Sequence, residues 1–199
     1  HLEQLVGALR SQPGGGVAAG AAAEGSVTYD PAAGAGSGKL ALPNVAPLLS
    51  LLVRLHLQLG NLTAAEDAFR RLEGLVANAD GSSLVRLHRG MLLMGSSQYV
   101  AALAEFEAAL AIEPNSPLAA NNVAVCQLYC CRLNDAVGTL QDQLKRDPHA
   151  NMHEVLVSNL ANLYQMTSPT SGGSNKQALE RLVMAVAGDD FDESVLNLG

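Results

Sequence analysis

Residues 83–116, SLVRLHRGMLLMGSSQYVAALAEFEAALAIEPNS, decide how the whole chain is read. Two segments of helical apolar spacing flank a small polar break, with Gly90 in the first, Tyr99 at the start of the second, and Ala102, Phe106, Ala109 and Pro114 following. Moving 34 residues onward carries Ala102 to Ala136, Phe106 to Leu140, Tyr99 to Leu133 and Pro114 to Pro148. A unit that recurs at this period cannot bury its apolar stripe alone; it must stack on copies of itself.

The period is the length of a tetratricopeptide repeat (TPR), one helix-turn-helix per copy. Each residue type has a packing reason. Gly90 and Ala102 let the two helices of a copy approach closely, Tyr99 and Phe106 fill the space around them, and Pro114 ends the second helix because it cannot continue the hydrogen-bond ladder. Only the expected Trp position fails, being Arg86. The copy at 117–150 keeps Ala124, Ala136, Leu140 and Pro148, and an earlier copy at 46–79 has Gly60 at its turn with Ala65 and Phe69 four apart. Three residues are inserted before the next copy. A fourth copy, 151–190, reads as a helix over 152–166, a long polar turn over 168–175, and a second helix, KQALERLVMAVAG. The expected fold is all-α: a right-handed TPR solenoid of about four repeats within 41–199, closed by a short C-terminal tail.

Outward from this array the composition changes. Residues 11–40 hold eight Gly and eight Ala without apolar periodicity, the signature of a flexible insertion that has little to bury. Before it, HLEQLVGALR places Leu2, Leu5, Val6 and Leu9 at helical spacing, so residues 1–10 read as the end of a helix from a preceding, truncated repeat. The chain opens on His1 and not Met, and is read as the tail end of a longer protein. Across all 199 residues the composition is 48% hydrophobic and 16% charged with no Trp, which suits an Ala/Leu core. A net charge of −7 argues against a surface built to neutralise nucleic-acid phosphates, and equally against direct binding to anionic lipid. The best apolar run, 48–59, is interrupted by Arg54 and His56, so no membrane insertion is expected.

Several candidate sites follow. The concave groove of such an array is lined by positions 2, 5, 9, 12 and 13 of each first helix: Leu84, Leu87, Met91 and Met94; Leu118, Asn121, Val125, Leu128 and Tyr129; Met152, Val155, Asn159, Asn162 and Leu163. An apolar groove studded with Asn suits an extended or helical peptide whose backbone the amides could clamp; the alternative is that these side chains simply pack on the next repeat or on a helix folded back. Cys126, Cys130 and Cys131 lie on what reads as one helix, without a Cys-x-x-Cys pair or a zinc spacing to His149 and His153, and are taken as ordinary buried thiols in a reducing compartment. GAGSGKL, ending at Leu40, lacks the Ser or Thr after Lys39 and the preceding strand of a phosphate loop. Asp147, His149 and His153 have no nucleophile beside them. No metal, cofactor or catalytic residue is assigned.

Over residues 81–199, and less closely over 41–80, the chain resembles the C-terminal part of the subunit-12 family of the trafficking protein particle complexes, TPR proteins of the TRAPP III tether. The resemblance is carried by ANNVAVCQLY with Cys126, the RDPH turn ending at His149, the helix HEVLVSNLANLY, and an ending in which QAL and AVAG precede a short acidic tail containing Phe191. It implies a non-enzymatic scaffold subunit that contacts other TRAPP subunits and is linked only indirectly to a Rab-family GTPase. It also implies a cytoplasmic place at ER–Golgi intermediate or Golgi membranes, and a role in ER-to-Golgi traffic and autophagy. The insertion at 11–40, the Cys130–Cys131 pair and the 168–175 turn depart from the family pattern. The competing reading is a TPR adaptor or co-chaperone that holds an acidic tail with a two-carboxylate clamp. The clamp positions counted from 83 are Leu87, Met91, Asn122, Met152 and Leu156, of which one matches; counted from 46 they are Ser50, Arg54, His88, Leu118 and Asn122. The cationic charge that such a clamp needs is missing.

Overall fold

The computed structural model describes residues 45–76, 78–167, 169–189 and 191–196. The expected helix at 1–10 and insertion at 11–40 lie outside the described residues. Within these described residues eight α-helices follow one another: α1 (Ala46–Gln58), α2 (Leu62–Leu75), α3 (Ser83–Gly95), α4 (Tyr99–Ile112), α5 (Pro117–Tyr129), α6 (Leu133–Arg146), α7 (Glu154–Met166) and α8 (Pro169–Val186), then a 3-10 turn at Glu193–Leu196. Among the described residues there is no strand. The helices pair in order, α1 with α2, α3 with α4, α5 with α6 and α7 with α8, and the second helix of each pair packs on the first helix of the next.

Local chemistry sets these boundaries. The side chains of Asn61, Ser82 and Ser116 accept hydrogen bonds from the backbone N–H groups of Ala64, Val85 and Ala119 at 3.1, 3.4 and 3.3 Å, satisfying donors that a helix start leaves open. Pro117 opens α5, where its fixed φ suits a first turn and its missing N–H costs nothing. Inside the first three pairs the joining turn is the same motif each time. Gly60, Ser97 and Cys131 adopt left-handed φ values of 72°, 61° and 60°. The next residues, Asn61, Gln98 and Arg132, donate their N–H groups back to the carbonyls of His56, Leu93 and Gln127 at 2.8, 2.9 and 2.8 Å. This is the Schellman ending, which sates the last carbonyls of one helix while turning the chain into the next.

Packing follows the repeat. Ala65, Ala102 and Ala136 are fully buried where paired helices cross. A Cβ built on Gly90 would stand 2.6 Å from the ring of Phe106, itself fully buried, so this close approach admits only hydrogen. The core runs as three successive clusters, one joining α1, α2 and α3, one joining α3, α4 and α5, and one joining α5 to α8 with the closing turn. Arg86, where a large aromatic residue was expected, is held instead by Glu105 of α4 at 2.9 Å. Its neighbour Arg89 meets Glu73 of α2 at 2.6 Å and Asp80 at 3.2 Å. The Glu73 hydrogen bond, ahead of the other acidic neighbours, holds the Arg89 guanidinium above its ordinary pKa. Arg89 thus links the insertion's Asp80 and Glu73 of the preceding pair through one guanidinium.

One expected turn is not a turn. The polar stretch 168–175 lies largely within α8, which begins at Pro169. Gly172 and Gly173 made a helix look improbable there, yet intrinsic propensity is a weak preference that packing overrides, and Leu179 and Val183 of α8 are buried in the last cluster.

Candidate functional site

The first helices α1, α3, α5 and α7 stand side by side, with α1 against α3 and α5 against α7. The residues proposed for a concave groove divide sharply along this surface. Leu84 and Leu118 are exposed, one repeat apart, and Met152 is half-buried at the equivalent place in the fourth pair. Met91 and Met94 are half-buried and pack on the cluster formed by α3, α4 and α5. Asn121, Val155 and Asn162 are half-buried. Leu87, Val125, Leu128, Asn159 and Leu163 are buried, so for these five packing on neighbouring helices describes their surroundings better than an open groove.

Two of the three amides expected to clamp a peptide backbone are engaged with each other. Asn159 Nδ2 donates to Asn121 Oδ1 at 2.6 Å, bridging α7 and α5. Beside this pair, Val125, Leu128 and Leu163 enclose a cavity of about 10 Å³. That is the lower limit for one water molecule, and far too little for a side chain of a ligand. Tyr129 is also partnered. Its ring stacks on Tyr99 with centroids 4.0 Å apart and planes 4° from parallel, closing α5 against the start of α4. Tyr129 is half-buried and borders a shallow depression shared with Gln98, Val100 and Cys130.

Elsewhere in the array, polar contacts are structural. His88 Nδ1 lies 2.7 Å from the Leu84 carbonyl, to which it donates, and Nε2 faces both the hydroxyl and the backbone carbonyl of Ser50 at 2.9 and 3.3 Å. Burial above all pushes the ring's pKa below the ordinary histidine value, favouring the neutral form, while the Leu84 and Ser50 carbonyls act in the opposite direction. Gln143 Nε2 donates to Asn151 Oδ1 at 3.0 Å, and Asn151 Nδ2 donates to the Gln143 carbonyl at 3.0 Å, locking the turn between α6 and α7 inside the core. Gln141 Nε2 donates to the Tyr164 hydroxyl at 2.7 Å, but burial outweighs this and leaves the phenol pKa raised.

The cysteines need a correction. Cys126 is fully buried on α5, its Sγ 4.0 Å from the sulfur of Met94, and burial pushes its thiol up to about 12. Cys130 is half-buried at the end of α5, while Cys131 is exposed and off the helix, in the left-handed turn. The three do not share one environment because the Schellman turn rotates the chain away between Cys130 and Arg132. Asp147 accepts from the Ala150 N–H at 3.0 Å, a turn contact and not a catalytic one. Among the described residues no three His, Cys, Asp or Glu side chains converge as metal ligands. The clamp positions counted from 83 are apolar or buried, Asn122 and Leu156 included, and of those counted from 46 only Arg54 carries a permanent positive charge.

The sequence reading did not identify Ser97 and Cys131 as turn residues. Their signal was present: each stands one repeat beyond the last, starting from Gly60, the residue best suited to left-handed φ.

Comparison with known proteins agrees with this architecture. The tetratricopeptide-repeat family profile matches residues 93–158. Trafficking protein particle complex subunit 12 of Mus musculus is 32% identical over 154 residues, covering 76% of this chain and 19% of the relative. The Homo sapiens protein of the same name is also 32% identical over 154 residues, covering 76% of this chain and 21% of its own length. This chain thus spans about a fifth of the length of the curated relatives it matches. A mutant of Thermobaculum terrenum O-GlcNAc transferase superposes with a TM-score of 0.56 at 16% identity, covering 69% of this chain and 26% of that one, a likeness of fold alone. The chain is an all-α TPR solenoid.

Proposed function

We propose that this chain is a non-catalytic TPR scaffold within a TRAPP III-like vesicle-tethering complex, serving ER-to-Golgi traffic and autophagy. It works from the cytoplasm at ER–Golgi intermediate or Golgi membranes. Its direct contacts are other TRAPP subunits, and its link to a Rab-family GTPase runs through them. The observation that carries this reading is the 32% identity over 76% of the chain to the subunit-12 proteins of mouse and human. Among the described residues no helix is long and apolar enough to cross a membrane, so attachment through partner subunits fits the reading.

The surface offered to a partner is the exposed apolar ladder of Leu84 and Leu118, extended by the half-buried Met91, Met94 and Met152. Anchors of this kind concentrate interface energy in few side chains. Leu87, Val125 and Asn159, being buried, act by holding the first helices in line, and Tyr129 contributes a half-buried ring braced by Tyr99. The test uses the full-length protein carrying Leu84→Asp together with Leu118→Asp, purified from cells by an affinity tag. The expected result is at least a tenfold loss of co-purifying TRAPP subunits relative to wild type, with circular dichroism and thermal midpoint unchanged. Full retention of those subunits rejects this surface, and their absence from the wild-type purification rejects the proposed function itself.

A further inference from the structure

Charge is divided unevenly between the two kinds of helix. The chain has a net charge of −7, yet the first helices α1, α3 and α5 contain no Asp or Glu; their charged residues are Arg54, Arg86 and Arg89. All three are half-buried. Arg86 and Arg89 are neutralised from the second helices, by Glu105 at 2.9 Å and Glu73 at 2.6 Å. Arg54 is not. Among the described residues no carboxylate meets its guanidinium, and its Nε is closed off from solvent without a hydrogen-bond partner.

Packing does not ask for a cation at this place. Counting through the insertion, Arg54 stands where Met91, Val125 and Asn159 stand in α3, α5 and α7, so the other three copies close the same position without charge. A guanidinium that loses water without gaining an acceptor is costly, which leaves its benefit to be found outside the array. Its location says where. Arg54 lies one helical turn beyond Ser50, whose hydroxyl reaches His88 of α3 at 2.9 Å, and the Arg54 charge is itself among the causes that lower the His88 pKa. The guanidinium therefore stands on the side of α1 that faces α3. On that side Pro47, exposed, occupies the place of Leu84 and Leu118 and begins the same apolar ladder.

We propose that Arg54, with Pro47, Leu84 and Leu118, docks a partner-protein segment that carries one Asp or Glu among apolar side chains. The carboxylate pairs with Arg54, and the apolar side chains lie on the ladder. Charge complementarity selects this occupant: the first-helix surface is apolar with one uncompensated cation, so its counterpart is apolar with one anion. A carboxylate suits a lone guanidinium, which holds it through two parallel hydrogen bonds. A phosphate would bring nearly two negative charges to one cation on an already acidic chain. The inference rests on the Leu84 and Leu118 surface proposed above and adds the chemistry of what it binds.

A display library of random peptides, selected on the full chain, tests it without reference to any cellular companion. Enriched peptides should share an Asp or Glu flanked by large apolar residues. Their affinity, read by fluorescence anisotropy, should fall about tenfold or more with Arg54→Leu, as expected for a lost hydrogen bond between charged groups. Replacing the acid of the peptide by its amide should cost as much, and the two changes together should cost little more than either, because both remove one contact. Leu84→Asp with Leu118→Asp should abolish binding. Failure of any peptide to enrich, enrichment without an acid, or affinity unaltered by Arg54→Leu would each overturn the proposal, as would binding that survives the Leu84 and Leu118 changes. Should Arg54→Leu disturb the circular dichroism, the acid-to-amide exchange in the peptide, compared on wild type and Arg54→Gln, decides. None of these outcomes depends on whether TRAPP subunits accompany the protein, which the affinity purification decides by itself.

Discussion

Replacing Gly90 by Ala isolates the closest helix crossing in the structure. In an open helix position this change is stabilising by about 0.5–1 kcal/mol, because Ala has less backbone freedom to lose. Gly138 in α6 is such a position, with nothing within 4 Å of the added Cβ. At Gly90 the same methyl meets Phe106 ring atoms at 2.6, 2.8 and 2.9 Å, and that ring has no exposed edge along which to retreat. Overpacking of a filled core costs about 1–3 kcal/mol. Gly90→Ala should therefore fall below Gly138→Ala by that steric amount, equivalent to a difference in thermal midpoint of about 2–12 °C for a domain of this size. The assay is thermal and urea unfolding followed by helical circular dichroism. Repeating Gly90→Ala in a Phe106→Leu background should recover about 1 kcal/mol or more of the penalty, as coupling between touching residues. If Gly90→Ala proves as stabilising as Gly138→Ala, or if the two sites do not couple, the crossing is not as close as described.

Other consequences are equally direct. Ala102→Leu and Ala136→Leu, each at a fully buried crossing, should each cost about 1–3 kcal/mol in urea unfolding, and unchanged midpoints in both would mean that the helix register is wrong. Ser97→Gly and Cys131→Gly should each stabilise by about 0.5 kcal/mol, since a non-glycine residue at left-handed φ is strained; a lowered urea midpoint would contradict the Schellman turn. His88 has a folded-state pKa below its unfolded value of 6.5, so the unfolded chain binds the proton more tightly. Its contribution is full above that value, declines as pH falls through it, and levels once the folded ring also protonates. The stability advantage of wild type over His88→Gln should accordingly shrink between about pH 8 and about pH 5, whereas parallel profiles would refute the buried neutral ring. Alkylation followed by mass spectrometry should modify exposed Cys131 first and Cys126 last, because burial both shields the Cys126 thiol and holds it protonated; early labelling of Cys126 would show that α5 opens.

The parts of the fold that could be read from the residues are those in which one constraint repeats. Ala102 with Ala136, and Phe106 with Leu140, recur because every crossing must satisfy the same spacing, and all four are fully buried. The groove was less legible. Position within a first helix places a side chain on a face, but the neighbouring helix decides how much of that face stays open, and neighbour volumes are not periodic. Hence Leu118 is exposed and Val125, seven residues on, is buried. The Asn121–Asn159 bond and the Tyr99–Tyr129 stack likewise join residues 38 and 30 positions apart, contacts that no local pattern announces. The start of α8 was missed for the opposite reason: its residues argue locally for a turn, and only the burial of Leu179 and Val183 against α7 carries the helix. Cys131 could have been found through its alignment with Gly60, although nothing in a cysteine side chain signals left-handed backbone.

The central claim, that this TPR array serves a trafficking complex, is tested most directly by what accompanies the protein. The full-length protein, tagged and expressed at its native level, should be purified under mild conditions and its companions identified by mass spectrometry. TRAPP subunits should co-purify in fixed proportion and co-elute with the protein at high molecular mass on size exclusion. Recovery of the protein without any TRAPP subunit, alone or with a different set of partners, would contradict the claim.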